Sequence, residues 1–216
     1  PVGQQFGLEA IGFFADDAEI ENSPKQLFSE VRPGDVKYKD QNGDNVIDQL
    51  DMIPLGYAGG YPEMYFAGTI GLEWKGFGAD ALFQGIANQT LYLNTQSVFW
   101  PLRGQNTIST FSAERWTPET KESATLPRLS LLENANNYRK NDIWLTSGDY
   151  LKLRRVEVYY KFSDSLLSNL KMKSAKIFVR GMNLFSIDNI DVMDPEEIGV
   201  TYPTMASYHI GVNLGF

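Results

Sequence analysis

The chain has no cysteine and a single histidine, His209. Disulfides and thiolate metal sites are therefore excluded, and so are a Ser-His-Asp triad built elsewhere in the chain and any multi-histidine metal centre. Basic residues are in deficit, 19 against 27 acidic ones, for a net charge of −8. Such a balance repels phosphate backbones and argues against nucleic-acid binding. No apolar run approaches the ~18 residues of a membrane-spanning helix. That exclusion does not extend to membrane-spanning strands, whose signal per segment is much weaker. The first residues, Pro1, Val2, Gly3, Gln4 and Gln5, lack an initiator Met, a basic region and an apolar signal core. The expectation is an internal or C-terminal piece of a longer precursor.

What is present is aromatic and glycine-rich: 13% Phe, Trp and Tyr, with 19 glycines among 216 residues. The organising stretch is Tyr208 to Phe216. Tyr208, Ile210, Val212, Leu214 and Phe216 alternate with His209, Gly211, Asn213 and Gly215, a strict two-residue period with one apolar face. In a transmembrane β-barrel each strand shows apolar residues to lipid and polar ones to the lumen, and no strand edge is left in hydrocarbon.

Further segments share this pattern. Phe6 to Phe14 alternates poorly and is a weak first strand. Met64, Phe66, Ile70, Leu72 and Trp74 alternate with Tyr65, Ala67, Thr69, Gly71 and Glu73, and Lys75-Gly76 then turns the chain into Phe77, Ala79, Ala81, Phe83 and Gly85, a strand that could run on to Leu93. Two long strands joined by two residues make a hairpin. Val156, Val158, Tyr160 and Phe162 share one face of a strand from Tyr150, with Leu153, Arg155, Glu157, Tyr159 and Lys161 on the other. Ala175, Ile177, Val179 and Gly181 alternate with Lys176, Phe178, Arg180 and Met182. Charge alternating with aliphatic side chains in mid-strand suits a wet lumen better than a dry sandwich core. About six long strands result, fewer than the eight of the smallest barrels. Residues 94 to 147 form a long segment with Pro101, Pro118 and Pro127, with a short helix predicted at Thr110 to Trp116. A segment of that length is ordinary for an extracellular barrel loop.

Residues 33 to 63 read as a polar, broken loop without a core element. Within it, Asp40, Asn42, Asp44, Asp48 and Asp51 fall at positions 1, 3, 5, 9 and 12 of a calcium loop of EF-hand type, Val46 offers a carbonyl at position 7, and Ile47 is the apolar anchor. Position 6 is Asn45 instead of Gly, and position 12 is the short Asp51 in place of Glu, so a Ca2+ site here would be weak. The flanks, Pro33-Gly34 and Pro54 to Gly56, exclude paired helices. The alternative is an Asx-rich turn whose side chains bond their own backbone.

The same residues resemble a known family. Gly34, Asp35, Val36, Lys37 and Tyr38, the Asp40 to Asp51 loop, then Leu55, Gly56, Pro62 and Gly68, are similar to the C-terminal barrel region of SusC/RagA-type TonB-dependent transporters of Bacteroidetes outer membranes. The likeness continues through Arg115-Trp116-Thr117, Pro127-Arg128, Ser147 to Leu153, Gly181, Asn183-Leu184-Phe185, Asp194-Pro195-Glu196, Tyr202-Pro203 and the ending Gly211, Asn213, Phe216. A terminal Phe closing an alternating strand also resembles the assembly signal of outer-membrane barrels. The resemblance implies an all-β fold: an antiparallel transmembrane β-barrel of 22 strands with long extracellular loops, located in the outer membrane. Residues 1–216 would supply about its final quarter, without the plug domain and TonB box. It also implies import of oligosaccharides, sometimes peptides, with a SusD-like surface lipoprotein as lid and TonB as the energy source.

Tyr92, Trp100 and Trp116, in and beside the long loop, are the candidate substrate contacts, since sugar rings present apolar faces to aromatics. Their alternative role is to pack the loop or meet the lid. Trp74, Tyr160 and Phe216 read as interface girdle. Asp194 with Glu196, or Asp48 with Asp51, could be imagined as acid and base for glycoside cleavage, but the calcium loop and the family motif already account for them, and no enzyme is expected. The rival to an importer is a soluble extracellular calcium-dependent β module that binds carbohydrate. It would turn the apolar sides of its strands toward each other across a closed interior.

Overall fold

A two-residue turn sets the geometry of the sheet. Lys75 and Gly76 both take the left-handed conformation, φ 50° and 87°, which matches the twist of the flanking strands. A side chain at position 76 would meet the carbonyl oxygen of Lys161 at 2.7 Å, so glycine is required there. The computed structural model describes residues 3–57, 61–103, 110–131, 134–169, 171–190, 194–197 and 204–216, except the side chains of Gln96, Ser97 and Trp100. The chain folds as two units, residues 1–61 with 89–146, and residues 62–88 with 147–216.

The second unit is a five-stranded antiparallel sheet. We label its strands β1 (Met64–Trp74), β2 (Phe77–Ala87), β3 (Tyr150–Lys161), β4 (Ser174–Asp188) and β5 (Ser207–Gly215), ordered β5-β4-β3-β2-β1. An eleven-residue strand rising about 3.3 Å per residue reaches ~33 Å, and a tilt of about 40° leaves roughly 25 Å along a bilayer normal. The register stacks like with like. One row runs Leu72, Ala79, Val158, Val179, Ile210, and the next row on the same face runs Trp74, Phe77, Tyr160, Ile177, Val212. Between them, on the opposite face, lies Glu73, Gly78, Tyr159, Phe178, Gly211.

The apolar rows do not close on an interior: Ile70 is 67% exposed, Leu72 80%, Val158 53% and Ile210 78%. The tilted ring pair Phe77 and Tyr160, 4.6 Å apart, lies in the row next to the hairpin turn with Trp74, where a girdle is expected. Both outer strands, β1 and β5, have one edge without a partner among the described residues. Five strands with two open edges do not close a barrel.

Two expectations for this unit change. The strand from Phe77 ends at Ala87, because Asn88 turns left-handed at φ 61°. Leu153 does not share a face with Arg155. Arg154 is an extra residue in a β-bulge, so Leu153 pairs with Phe83 and Phe185 on the apolar side, while Lys152 joins the polar side opposite Gln84 and Ser186.

The first unit carries the greater surprise. The stretch 33 to 63 is no coreless loop: Val36, Tyr38 and Ile47 are fully buried and cluster with Leu8. The predicted strand Phe6 to Phe14 breaks into Gln5–Gly7, paired with Ile53–Leu55, and Ala10–Phe13, paired with Val36–Tyr38. A sixth long strand is thus lost to two short ones. Side-chain hydrogen bonds replace the missing ladder. Gln26 donates to the Val36 carbonyl at 2.9 Å and accepts from the Tyr38 amide at 2.8 Å, and Asn136 donates to the same Val36 carbonyl at 2.9 Å. The long segment holds a helix, Gln96–Leu102, with Pro101 inside it, and a 3-10 helix at Thr110–Glu114 where a helix was predicted.

Candidate functional site

The polar face of the sheet is the most organised chemical surface of the second unit. Glu157 on β3 is 3% exposed and receives the Lys176 ammonium at 2.7 Å and the Arg180 Nε at 2.7 Å, both from the neighbouring β4. Asp80 on β2 takes Arg155 at 2.5 Å, and Glu73 on β1 takes Lys161 at 2.6 Å and the Tyr159 hydroxyl at 2.9 Å. Every one of these pairs crosses from one strand to another, so the charges act as cross-strand ties on a face that remains water-compatible. His209 stands opposite Arg180 on the same face, as its polar setting predicts.

Toward the other end of β3, beside the bulge, lies a second ionic group. Lys152, 3% exposed, holds Asp194 at 2.5 Å and Glu196 at 2.9 Å, Arg154 also pairs with Glu196, and the Tyr150 hydroxyl donates to Glu196 at 2.6 Å. Desolvation alone would raise the Glu196 pKa. The Lys152, Tyr150 and Arg154 hydrogen bonds outweigh it and pull the carboxyl down to about 2 from an ordinary 4.5. A depressed carboxyl stabilises the fold above its unfolded pKa and loses that contribution as the pH falls toward its folded one. The melting-temperature difference between the wild type and Glu196→Gln should therefore be constant at neutral pH and shrink away between pH 4.5 and about 2. A difference that persists unchanged to the bottom of that range would show that the charge contributes nothing. Asp194 and Glu196 are thus committed to the same ammonium, and Asp48 and Asp51 to a capping box, so neither pair stands as acid and base across an open cleft.

In the first unit the acidic loop closes on its own amides. Asp40 accepts from the backbone of Gly43 at 2.7 Å and Asn45 at 2.8 Å, Asn42 from Asp44 at 2.9 Å, and Asp44 from Val46 at 2.8 Å. Desolvation pushes the Asp40 pKa up, but the amides of Asn45 and Gly43 hold it below the usual carboxylate range. Asn45 adopts the left-handed φ of 65° that position 6 needs. Asp48 caps the Leu50 amide, while Asp51, fully buried, bonds the amides of Gln41 and Asp48 at 2.9 and 2.8 Å. Among the described residues no three Asp, Glu, His or Cys side chains converge as a metal cage. Calcium would have to draw these oxygens away from their amides.

The two described aromatic candidates are each already engaged by the fold. The Tyr92 hydroxyl donates to the Arg139 carbonyl at 2.7 Å and its ring meets Phe99 edge-on. Trp116 is buried with its ring over Gly34, whose φ of +86° and lack of a side chain make room for it. Trp100 lies on the Gln96–Leu102 helix, and its side chain falls outside the described residues. Gly34→Ala should strain the backbone and displace Trp116 together, at about 2–4 kcal/mol in a denaturant melt. A loss under ~1 kcal/mol would mean the ring can slide aside.

Sequence reasoning missed the polar centre of this unit. Asp35, fully buried, pairs with Arg128 at 2.8 Å and accepts from Asn134 and Asn137 at 2.9 Å each and from the Arg32 amide at 2.8 Å. Asn137 in turn receives the Val36 amide at 2.9 Å and the Trp144 indole at 2.7 Å on its carbonyl. The Gly34-Asp35 and Pro127-Arg128 pairs were visible as motifs, but nothing local announces that residues 93 apart in sequence meet.

No protein-family model matches the chain. Two receptors of Formosa agariphila are similar to it: TonB-dependent receptor P26, 26% identical over 190 residues and 88% of this chain, and TonB-dependent receptor P3, 21% identical over all of it. The chain spans about a fifth of their length, 19% and 22%. Among solved structures, the RagAB peptide transporter aligns over 99% of this chain and 22% of its own, with a TM-score of 0.69 at 17% identity. At that identity the likeness concerns the fold.

Proposed function

We propose, from the premise that this chain belongs to the SusC/RagA-type TonB-dependent receptors and corresponds to about a fifth of one, that it forms part of the wall and loops of an outer-membrane importer. The observation that carries the reading is the exposed apolar face of a sheet whose opposite face is a lattice of cross-strand ion pairs. Water tolerates the second face and not so large a continuous area of the first, whereas a bilayer on one side and an aqueous pore on the other suit both. The open edges of β1 and β5 then need partner strands, because unpaired amides are costly in hydrocarbon. Those strands belong to the rest of the receptor, along with the plug and the TonB-contacting segment.

Cargo, lid and metal are finer elements of the proposal. The cargo is an oligosaccharide or a peptide, the latter being what the similar RagAB transporter carries, and the lid is a SusD-like lipoprotein. Tyr92, Trp100 and Trp116 are the proposed aromatic contacts; the fold already engages Tyr92 and buries Trp116, so cargo reaches the latter ring only if the loop moves. Calcium at Asp40, Asn42, Asp44, Val46, Asp48 and Asp51 is weak, with a Kd of about 10⁻⁴ to 10⁻³ M, since binding competes with the amide bonds of the loop. Calorimetric titration should show a heat that Asp44→Ala removes; silence at tens of millimolar would withdraw the metal and leave the rest standing.

The chain contributes no cysteine of its own, so single cysteines placed here in a receptor otherwise cleared of thiols report the faces. In the receptor embedded in vesicles, His209→Cys should react with a membrane-impermeant maleimide and its neighbour Ile210→Cys should not. Equal reaction at both positions would end the pore-wall reading.

A further inference from the structure

The turn Asp194 to Glu197 carries its own internal bonds, from the Glu197 amide to the Asp194 carbonyl at 3.0 Å and from the Glu196 amide to the Asp194 carboxylate at 2.9 Å. The links described between this turn and the sheet run through side chains alone. Both acids reach the polar face, where Lys152, Arg154 and Tyr150 receive them. Tyr150, Lys152 and Arg154 are spaced two apart and share that face by alternation, and the bulge adds Arg155 to it, opposite Leu82 and Met182. Arg154 is steadied by Gln84 on β2, which accepts its Nε at 2.9 Å, and Asn183 beside it on β4 is held left-handed at φ 51°. A small cavity, lined by Lys152, Asn183, Ser186, Asp194 and Thr204, adjoins the clasp.

We propose that the Asp194–Glu197 turn is an ionic tether, a conformational device in which residues 194–197 are clasped onto the polar face beside the bulge and released without unfolding the sheet. The separation of the two events follows from the bonding. The ladder of β3 runs on through Leu153 and Arg155 with Arg154 outside it, so releasing Arg154 and Lys152 from the carboxylates leaves every strand pairing in place. A cluster of short, partly buried charged hydrogen bonds behaves as one unit, because each bond lost raises the cost of keeping the remaining charges desolvated. The tether therefore has two states, clasped and free, and not a continuum. If the importer reading holds, the clasp lies on the pore side of the wall, and its opening changes the pore lining.

Hydrogen exchange on the detergent-solubilised full-length receptor tests this. In Glu196→Gln, which keeps the side-chain shape and removes the charge, the Glu196 and Glu197 amides should exchange about tenfold faster or more, while those of β3 and β4 stay as in the wild type. Lys152→Met should do the same, since it removes the ammonium common to both acids. Unchanged exchange in the turn in both variants would overturn the tether, and so would an equal acceleration across β3 and β4, which would mean the group merely stabilises the sheet. The cysteine labelling at positions 209 and 210 decides the pore reading independently, so either idea can fail alone.

Discussion

Ile70→Arg is expected to block or strongly weaken membrane assembly, while Thr69→Arg, one residue away, is expected to be tolerated. The two positions lie near the middle of β1 on opposite faces. Ile70 shares its row with Ala81, and Thr69 shares the opposite one with Leu82. In a bilayer an arginine at mid-depth on the lipid face costs about 2–4 kcal/mol, which is a factor of roughly 30 to 900 in a folding equilibrium. On the pore face the guanidinium stays hydrated and the cost is near zero. Because Ile70 is 67% exposed, the same arginine in a water-soluble module would cost nothing either, so the contrast between the two substitutions reads the solvent directly. Urea titration of the full receptor in vesicles, followed by the shift of folded barrels on unheated gels, gives the number. Equal tolerance at both sites would contradict a lipid-facing row.

Asp35→Leu should cost the first unit about 4 kcal/mol or more, enough to unfold a marginal module. Asp35 carries four described partners, and its removal leaves the Arg128 guanidinium, the Asn134 and Asn137 amides and the Arg32 N–H short of an acceptor in a buried place. Breaking one side of a buried charged pair typically costs ~3–5 kcal/mol, far more than the pair contributes against an apolar replacement of both. Asp35→Asn keeps one acceptor oxygen and should cost about half as much. Fluorescence of Trp144, whose indole donates to the Asn137 carbonyl and which is fully buried, is the natural probe of the denaturant midpoint. A double variant with Arg128→Met should recover part of the loss, because the stranded charge goes with it. Without such recovery, the Asn donors and not the ion pair would be the source.

The two substitutions also mark what could be read without coordinates. Ile70 and Thr69 declare their faces by alternation, a local property with a period of two, and from it the sequence alone determined the antiparallel strands, the Lys75-Gly76 hairpin and the exclusion of thiolate and histidine chemistry. It also supplied Asp35, Arg128, Lys152, Asp194 and Glu196 as motif letters without roles. Only the tertiary structure decided those roles, because a side-chain bond between residues 93 or 44 positions apart leaves no periodic trace in either segment. The same cause hid the core at Val36, Tyr38 and Ile47: their short strands are completed by Gln26 and Asn136 instead of by neighbouring backbone, so the run looked too polar to be inside. The bulge at Arg154 escaped as well, since one inserted residue shifts every face beyond it and the register is fixed by the partners on β2 and β4, not by the strand that bends.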